Sequence, residues 1–146
     1  MRAFLGVLGG VVAGIVGLLA IGLVGGMLFP IPVDSHIQGA VEQAVAALPN
    51  APFASLLFIA LSWFVGGLLA GLVGKLVARR RGPAWAAVGI ITLLMFANVL
   101  LAPFPAWMEI ASVAAPLIGG LIGSHLAGGG APEAAAVEGG DAPVDI

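Results

Sequence analysis

The sequence predicts an all-α integral membrane protein, a bundle of four transmembrane helices with a short amphipathic helix in one loop. The chain is 61% hydrophobic and only 8% charged, whereas a typical soluble domain is about 25% charged. Four apolar runs each approach the roughly 20 residues that a helix needs to cross a hydrocarbon core about 30 Å thick. These runs lack the alternating polar positions of barrel strands, so helices are favoured.

The predicted spans cover residues 4–29, 53–77, 84–101 and 107–126. The first span follows a single arginine, as in a signal peptide. Its apolar stretch is nevertheless longer than the roughly 7 to 15 residues of a signal core, and no small-residue cleavage site ends it. We therefore expect a retained helix within a transmembrane domain over residues 1–128. The tail, 129–146, is acidic and poor in large apolar residues, which predicts a disordered cytoplasmic segment.

The loop between the first two spans has its own helix signal. Ser35 to Gln38 has the form of a capping box, and apolar residues recur on one face until Pro49. We predict an amphipathic helix over residues 35–48 that covers the bundle, with docking of a partner as the alternative. Its charged residues are acidic, so it lacks the basic face of a helix that binds anionic headgroups.

The basic residues predict the orientation. Four spans place the N-terminus, the loop after the second span and the C-terminus on one side, and the opposite loops contain no lysine or arginine. By the positive-inside rule we expect both termini in the cytoplasm and, in a bacterium, the opposite loops in the periplasm. So small a basic cluster predicts no nucleic-acid binding. The basic residues are Arg2, at the start of the chain, and the cluster of Lys75, Arg79, Arg80 and Arg81 in the loop after the second span.

The two halves of the chain are similar to each other. Pro-x-Pro motifs follow the first span at residues 30–32 and the third at residues 103–105, and residues 68–74 match residues 117–123 in size and type. These matches suggest two parallel helical hairpins related by a pseudo-two-fold axis along the membrane normal. The alternative is chance similarity between helices rich in glycine and leucine.

Glycines recur at four-residue spacing, which places them on one helix face and allows two backbones to approach closely in lipid. We expect these glycines to pack helices within the chain. The first span is rich in glycine all round, so contact with a second subunit or a larger partner is the alternative there. The glycines are Gly6, Gly10, Gly14, Gly22, Gly26, Gly67, Gly71, Gly119 and Gly123.

Polar residues inside a span are candidates for function, because burying them costs free energy. Asn98 lies near the end of the third span, and Glu109 and Ser112 lie in the first turns of the fourth, at a similar depth. His36, in the loop between the first two spans, is within reach of that region. A carboxylate with an imidazole suits a proton or divalent-cation site, although Glu109 is also favoured simply by the N-terminus of its helix.

No motif for catalysis is present. The chain has no cysteine, and its two histidines are expected at opposite faces, separated by roughly the 30 Å thickness of the hydrocarbon core. The glycine runs lack the Lys-Ser or Lys-Thr of a phosphate-binding loop. We predict no enzymatic activity, no catalytic residue, no metal centre and no cofactor.

Several segments resemble a family of small bacterial four-helix membrane proteins of uncharacterised function. The likeness covers most of the chain and implies a four-span topology and an inner-membrane location, without implying an activity. A histidine is common in that family between the two prolines where this chain has Phe104, so the resemblance gives no imidazole chemistry to this turn. It is carried by Asn98, Pro103 to Met108, Pro116, Gly119 to Gly123, the Pro30 region, the loop helix and Trp63 to Gly74.

We therefore predict a structural or accessory protein, a small subunit of a larger membrane complex. Its expected partners are membrane lipids and either other membrane subunits or further copies of this chain. The alternative is a small oligomeric transporter or channel with a polar site at the periplasmic end, formed by Asn98 and Glu109. A membrane enzyme ranks third.

Overall fold

The computed structural model describes residues 1–31 and 39–128, and this part of the chain consists of helices and turns. Four long helices agree with the predicted apolar runs, and each is long and apolar enough to cross a membrane. The predicted all-helical class is thus confirmed. The elements are α1 (Arg2–Leu28), α2 (Ala40–Ala47), a 3-10 turn (Leu48–Asn50), α3 (Phe53–Ala78), α4 (Arg81–Leu101) and α5 (Ala106–Leu126).

Helix α3 is the centre of the bundle. It packs against α1, α4 and α5, while α1 and α5 do not approach each other. Helix α4 lies against the other three long helices and closes the bundle on one side.

The long helices run in alternating directions, so the bundle has two chemically different ends. The basic end contains the start of α1, the α3–α4 turn and the last turn of α5, with the five basic residues. The proline end contains the residues after α1, the start of α3 and the α4–α5 turn. There the Ser55 hydroxyl donates a hydrogen bond of 3.0 Å to the carbonyl oxygen of Phe29 and joins α1 to α3.

Glycines bring helix backbones together along the centre of the bundle. A Cβ added to Gly10 or to Gly14 of α1 would lie 2.8 Å from a backbone oxygen of α3. On the other side of α3, a Cβ on Gly71 would lie 3.0 Å from the Cα of Gly120. Such contacts hold helices in lipid, where burial of apolar side chains gives little drive to associate.

Larger side chains fill the proline half of the bundle. Leu56, Trp63, Val99 and Met108 form a buried cluster. Phe104 packs against it with its ring edge-on to Trp63, at a centroid distance of 6.0 Å. Phe104, between the two prolines of the α4–α5 turn, therefore serves as an aromatic packing group.

Helix α2 is shorter than the predicted amphipathic helix. It begins at Ala40, directly after Gly39, whose φ of 97° lies in the left-handed region that favours glycine. The predicted capping box, Ser35 to Gln38, and the acidic tail lie outside the described residues. Among the described helices α2 approaches only the 3-10 turn that follows it. The chain rejoins the bundle at Leu48, which is buried, and at Ala51, which packs on the Trp63 cluster.

The two predicted hairpins differ in how their helices meet. Helix α1 contacts α3 backbone to backbone, whereas α4 contacts α5 through Val88, whose methyl groups fill the space beside Gly120. The α3–α5 pair follows the register of the sequence match, because Gly67 faces Pro116 and Gly71 faces Gly120.

Candidate functional site

Four of the five hydroxyl groups within the long helices, all except that of Ser55, are satisfied by their own helices. Each donates to a carbonyl oxygen three or four residues earlier: Ser62 to Ile59 at 2.6 Å, Thr92 to Val88 at 2.9 Å, Ser112 to Glu109 at 2.7 Å and Ser124 to Leu121 at 2.9 Å. Within residues 1–31 and 39–128, no buried side-chain nitrogen or oxygen lacks a hydrogen-bond partner. These hydroxyls therefore do not indicate a ligand.

The structure describes three of the four residues of the predicted polar site, and no hydrogen bond joins the side chains of these three. Ser112 is buried, and its hydroxyl is committed to the backbone oxygen of Glu109. The Glu109 side chain is exposed in the first turn of α5. Asn98 lies on α4 and lines a groove to which α5 contributes no residue. His36 lies outside the described residues.

A groove beside Asn98 has a volume of about 540 Å³. This volume falls in the range of about 300 to 1,000 Å³ of ligand-sized sites. Its walls are α1, between Leu18 and Met27, and the last turns of α4; its floor is Ile59, Ser62 and Trp63 of α3. Along α1 it extends about 14 Å, at 1.5 Å per residue.

Asn98 is the polar feature of this groove. The other polar lining residue, Ser62, has its hydroxyl bonded to Ile59. The carboxamide of Asn98 makes no hydrogen bond with the described part of the chain, and the side chain is exposed. Because an amide both donates and accepts, it remains available to a group that enters the groove.

Two of the predicted packing glycines also belong to the groove. Gly22 and Gly26 are exposed on α1, and a Cβ added to either would meet no atom within 4 Å. Buried contacts are made instead by Gly17 and Gly25, which the four-residue series does not include. The remaining predicted glycines, at positions 6, 10, 14, 67, 71, 119 and 123, are buried between helices.

The basic residues do more than line one end. The Lys75 ammonium donates hydrogen bonds of 2.7 Å to the carbonyl oxygen of Ser124 and 2.9 Å to that of Gly128. These carbonyls lie at the end of α5, where helical partners run out and a cation is favoured. Arg2, Arg79 and Arg80 line a separate pocket at the basic end, and Arg81 does not line it.

Metal binding finds no support in the described residues. They contain no group of three or more histidine, cysteine, aspartate or glutamate side chains placed to hold an ion. His125 is exposed in the last turn of α5, at the basic end, far along the bundle from Glu109 in the first turn of the same helix.

Ser55 and the floor of the groove are not among the residues that the sequence predicts to be functional. Ser55 lies near the start of an apolar run, and no sequence pattern marks the hydrogen bond by which it joins two helices. Trp63 and Met95 have the composition of ordinary span residues, although both line the groove. A tryptophan in mid-span, away from the interfaces that this residue prefers, was the available signal.

Comparison with known proteins returned no relative: no protein-family model, no curated protein and no solved structure matches the chain.

Proposed function

We propose that this chain is a non-enzymatic, multi-pass protein of the bacterial inner membrane. In this proposal it is an accessory subunit that binds a transmembrane helix of another subunit in the groove formed by α1, α3 and α4. The open groove beside Asn98, with Gly22 and Gly26 in its wall, is the observation that carries the proposal.

Insertion in a membrane is supported by the outer surface of the bundle. Large apolar side chains are exposed along all four long helices; on α1 alone, Phe4, Leu23 and Met27 are 67 to 82% exposed. Soluble monomers rarely expose apolar patches larger than about 300 to 600 Å². Trp85 and Trp107 lie at opposite ends and are both partly exposed, as expected of interfacial anchors.

The orientation in this proposal follows the charges. Among the described residues the basic side chains all lie at the basic end, and the carboxylates, Glu42 and Glu109, lie toward the proline end. The positive-inside rule then places the basic end and both termini in the cytoplasm.

Binding of a helix is supported by the small residues of the groove. Gly22 and Gly26 lie about one turn apart on the exposed side of α1, so a second helix is able to approach the α1 backbone closely. Asn98 then supplies a hydrogen bond across the interface, and such bonds contribute about 0.6 to 2 kcal/mol between helices in lipid. The partner is either a different membrane protein or a second copy of this chain.

Filling the groove tests this proposal. We expect the full chain, extracted in a mild detergent, to carry a bound subunit in native mass spectrometry. Gly22→Leu and Gly26→Leu should remove that subunit because their side chains occupy the space of the incoming helix. Gly89→Leu is the matched control, since Gly89 is equally open on α4 but does not line the groove.

Two outcomes would count against an accessory role. One is a lone monomer under conditions that keep other membrane complexes intact. The other is a partner retained equally by Gly22→Leu, Gly26→Leu and Gly89→Leu, which would place its contact elsewhere on the bundle.

The transporter alternative has less support. Glu109 does not line the groove beside Asn98, and the hydroxyls of Ser62, Thr92, Ser112 and Ser124 are bonded within their own helices. A pathway through a single chain would need polar groups free to bind the solute. An oligomeric channel would need Asn98 or Glu109 to face a shared axis.

The duplication of two hairpins is not part of this proposal. The register of the α3–α5 contact is the one that a pseudo-two-fold axis requires. The different α1–α3 and α4–α5 contacts, however, are unlike those of two equivalent hairpins.

A further inference from the structure

A basic pocket of about 390 Å³ lies at the basic end, between the start of α1 and the α3–α4 turn. Its cationic lining residues are Arg2 from α1 and Arg79 and Arg80 from the turn. These segments are far apart in sequence and meet because α1 packs closely on the last turns of α3. A Cβ on Gly6 would lie 2.5 Å from that of Ala78, which leaves room for a glycine only.

The positive charge of this pocket has no counterpart among the described residues. Their carboxylates are Glu42 in α2 and Glu109 at the start of α5, both toward the opposite end. Lys75 is already occupied by the carbonyl oxygens of Ser124 and Gly128. An anion that enters this pocket would therefore meet arginines that no described carboxylate neutralises.

Arg79 has a backbone conformation that its residue type disfavours. Its φ of 55° is the only positive value of a non-glycine residue in the described part of the chain. Arg79 ends α3, and its N–H donates to the carbonyl oxygen of Lys75 at 2.8 Å. Glycine is the usual residue at such a helix end, so the arginine side chain is present despite a local backbone penalty. Strain of this kind is found at functional sites.

The chemistry of the pocket fits a phosphate group. A guanidinium offers a planar fork of donors that matches phosphate oxygens, and arginines from two segments would contact the group from two sides. Basic pockets between helices at the cytoplasmic surface are typical sites for anionic lipid headgroups. Trp85, exposed near the start of α4, marks the same end as interfacial.

We propose that Arg2, Arg79 and Arg80 form a binding site for the phosphate of an anionic phospholipid from the surrounding leaflet. This inference rests on the proposed membrane location and orientation. It does not depend on the groove or on its partner, because the two sites lie at different ends of the bundle.

The test is lipid retention by the full chain in nonionic detergent, measured by native mass spectrometry with phosphatidylglycerol and, separately, with phosphatidylcholine. We expect retention of phosphatidylglycerol only. Arg2→Gln and Arg80→Gln should each weaken it about fivefold, the effect of one cation at an anionic surface. Arg81→Gln removes the same charge from the same turn but outside the pocket, and it should leave retention unchanged.

Arg79→Gly separates binding from folding. Glycine relieves the left-handed backbone, so this variant should unfold at the same temperature as the parent or higher while retaining less phosphatidylglycerol. Equal losses in Arg81→Gln and Arg80→Gln would reduce the site to general surface charge and overturn the proposal. So would stabilisation by inorganic phosphate as strong as that by the lipid, which would assign the pocket to a soluble anion.

Failure of this proposal is distinguishable from failure of the proposed function. A chain found in the soluble fraction of cells would overturn both. A membrane-bound chain whose groove variants lose the partner, but whose arginine variants all retain phosphatidylglycerol like the parent, would overturn the lipid site alone.

Discussion

Lys75 connects two helices that are distant in sequence. Its position in the basic cluster predicts a role in orienting the chain in the membrane, and the structure adds a direct contact between its ammonium group and the end of α5. The last carbonyls of a helix have no partner within it, so an ammonium from a neighbouring helix both satisfies them and complements the helix dipole.

Replacing Lys75 by methionine should loosen the end of α5. The variant keeps the length of the side chain but loses two charge-assisted hydrogen bonds, one partly buried and one exposed. We expect a loss of about 1 to 2 kcal/mol in unfolding free energy and faster amide hydrogen exchange in the last turn of α5. Arg81→Met removes a neighbouring charge without these bonds and should show neither effect. Equal amide hydrogen exchange in the two variants would contradict a stabilising contact between Lys75 and the end of α5.

For a single residue, the sequence indicates that the side chain is polar but not which group it hydrogen-bonds. Ser112 and Asn98 were expected to share a site, yet the Ser112 hydroxyl bonds to its own helix. A serine in a helix always has that local choice, which no sequence pattern reports. The cost of an amide in a span marks Asn98 as a candidate, but the groove that it lines also includes residues of α1, which sequence distance alone does not reveal.

The glycines of α1 show how a helix face rotates along its length. With about 3.6 residues per turn, a strict four-residue series moves slowly around the helix. Gly25 lies eleven residues after Gly14, about three full turns, and therefore returns to the buried face. Gly22 and Gly26 lie off that face, which explains why they line the groove although the simple spacing predicts packing within the chain.

A single added methyl group should separate glycines between helices from glycines at the surface. Gly71→Ala places a Cβ against the carbonyl oxygen and Cα of Gly120, where only backbone can move to make room. Overpacking of this kind is destabilising by about 1 to 3 kcal/mol. Gly89→Ala meets no atom and should be neutral or slightly stabilising, as alanine is in helices. Thermal unfolding in detergent measures both, and similar values for the two variants would contradict the close α3–α5 contact.

The long helices are the part of the fold that the sequence predicts best. Apolar length alone defines them, and their bounds differ from the predicted spans by at most a few residues. The start of α2 is harder to predict from the sequence, because the helix begins after Gly39, later than the capping-box pattern suggests. The sequence also does not reveal that α3 lies at the centre of the bundle, because all four apolar runs are alike in length and composition.

The whole molecule is polarised, with cations at one end and the described carboxylates toward the other. This separation makes the proposed orientation testable. The chain contains no cysteine, so each introduced thiol is the only one. Gly82→Cys lies in open space at the basic end, and Ala106→Cys is exposed at the proline end.

In intact spheroplasts a membrane-impermeant maleimide should label Ala106→Cys and leave Gly82→Cys unlabelled, because the positive-inside rule places only the proline end outside. Disrupted membranes should allow both to react, which controls for thiol accessibility. Labelling of Gly82→Cys in intact cells would reverse the orientation, and with it the leaflet proposed for the lipid.

The hydroxyls of Ser62, Thr92 and Ser124 have a consequence for biogenesis. Because each is bonded within its own helix, none of these three hydroxyls lacks a partner when its helix leaves the insertion machinery and enters the bilayer. No such bond has to exchange partners when helices later meet. Insertion and assembly are then separate stages, and the second is left to complementary backbone surfaces that form only once glycine faces come into register.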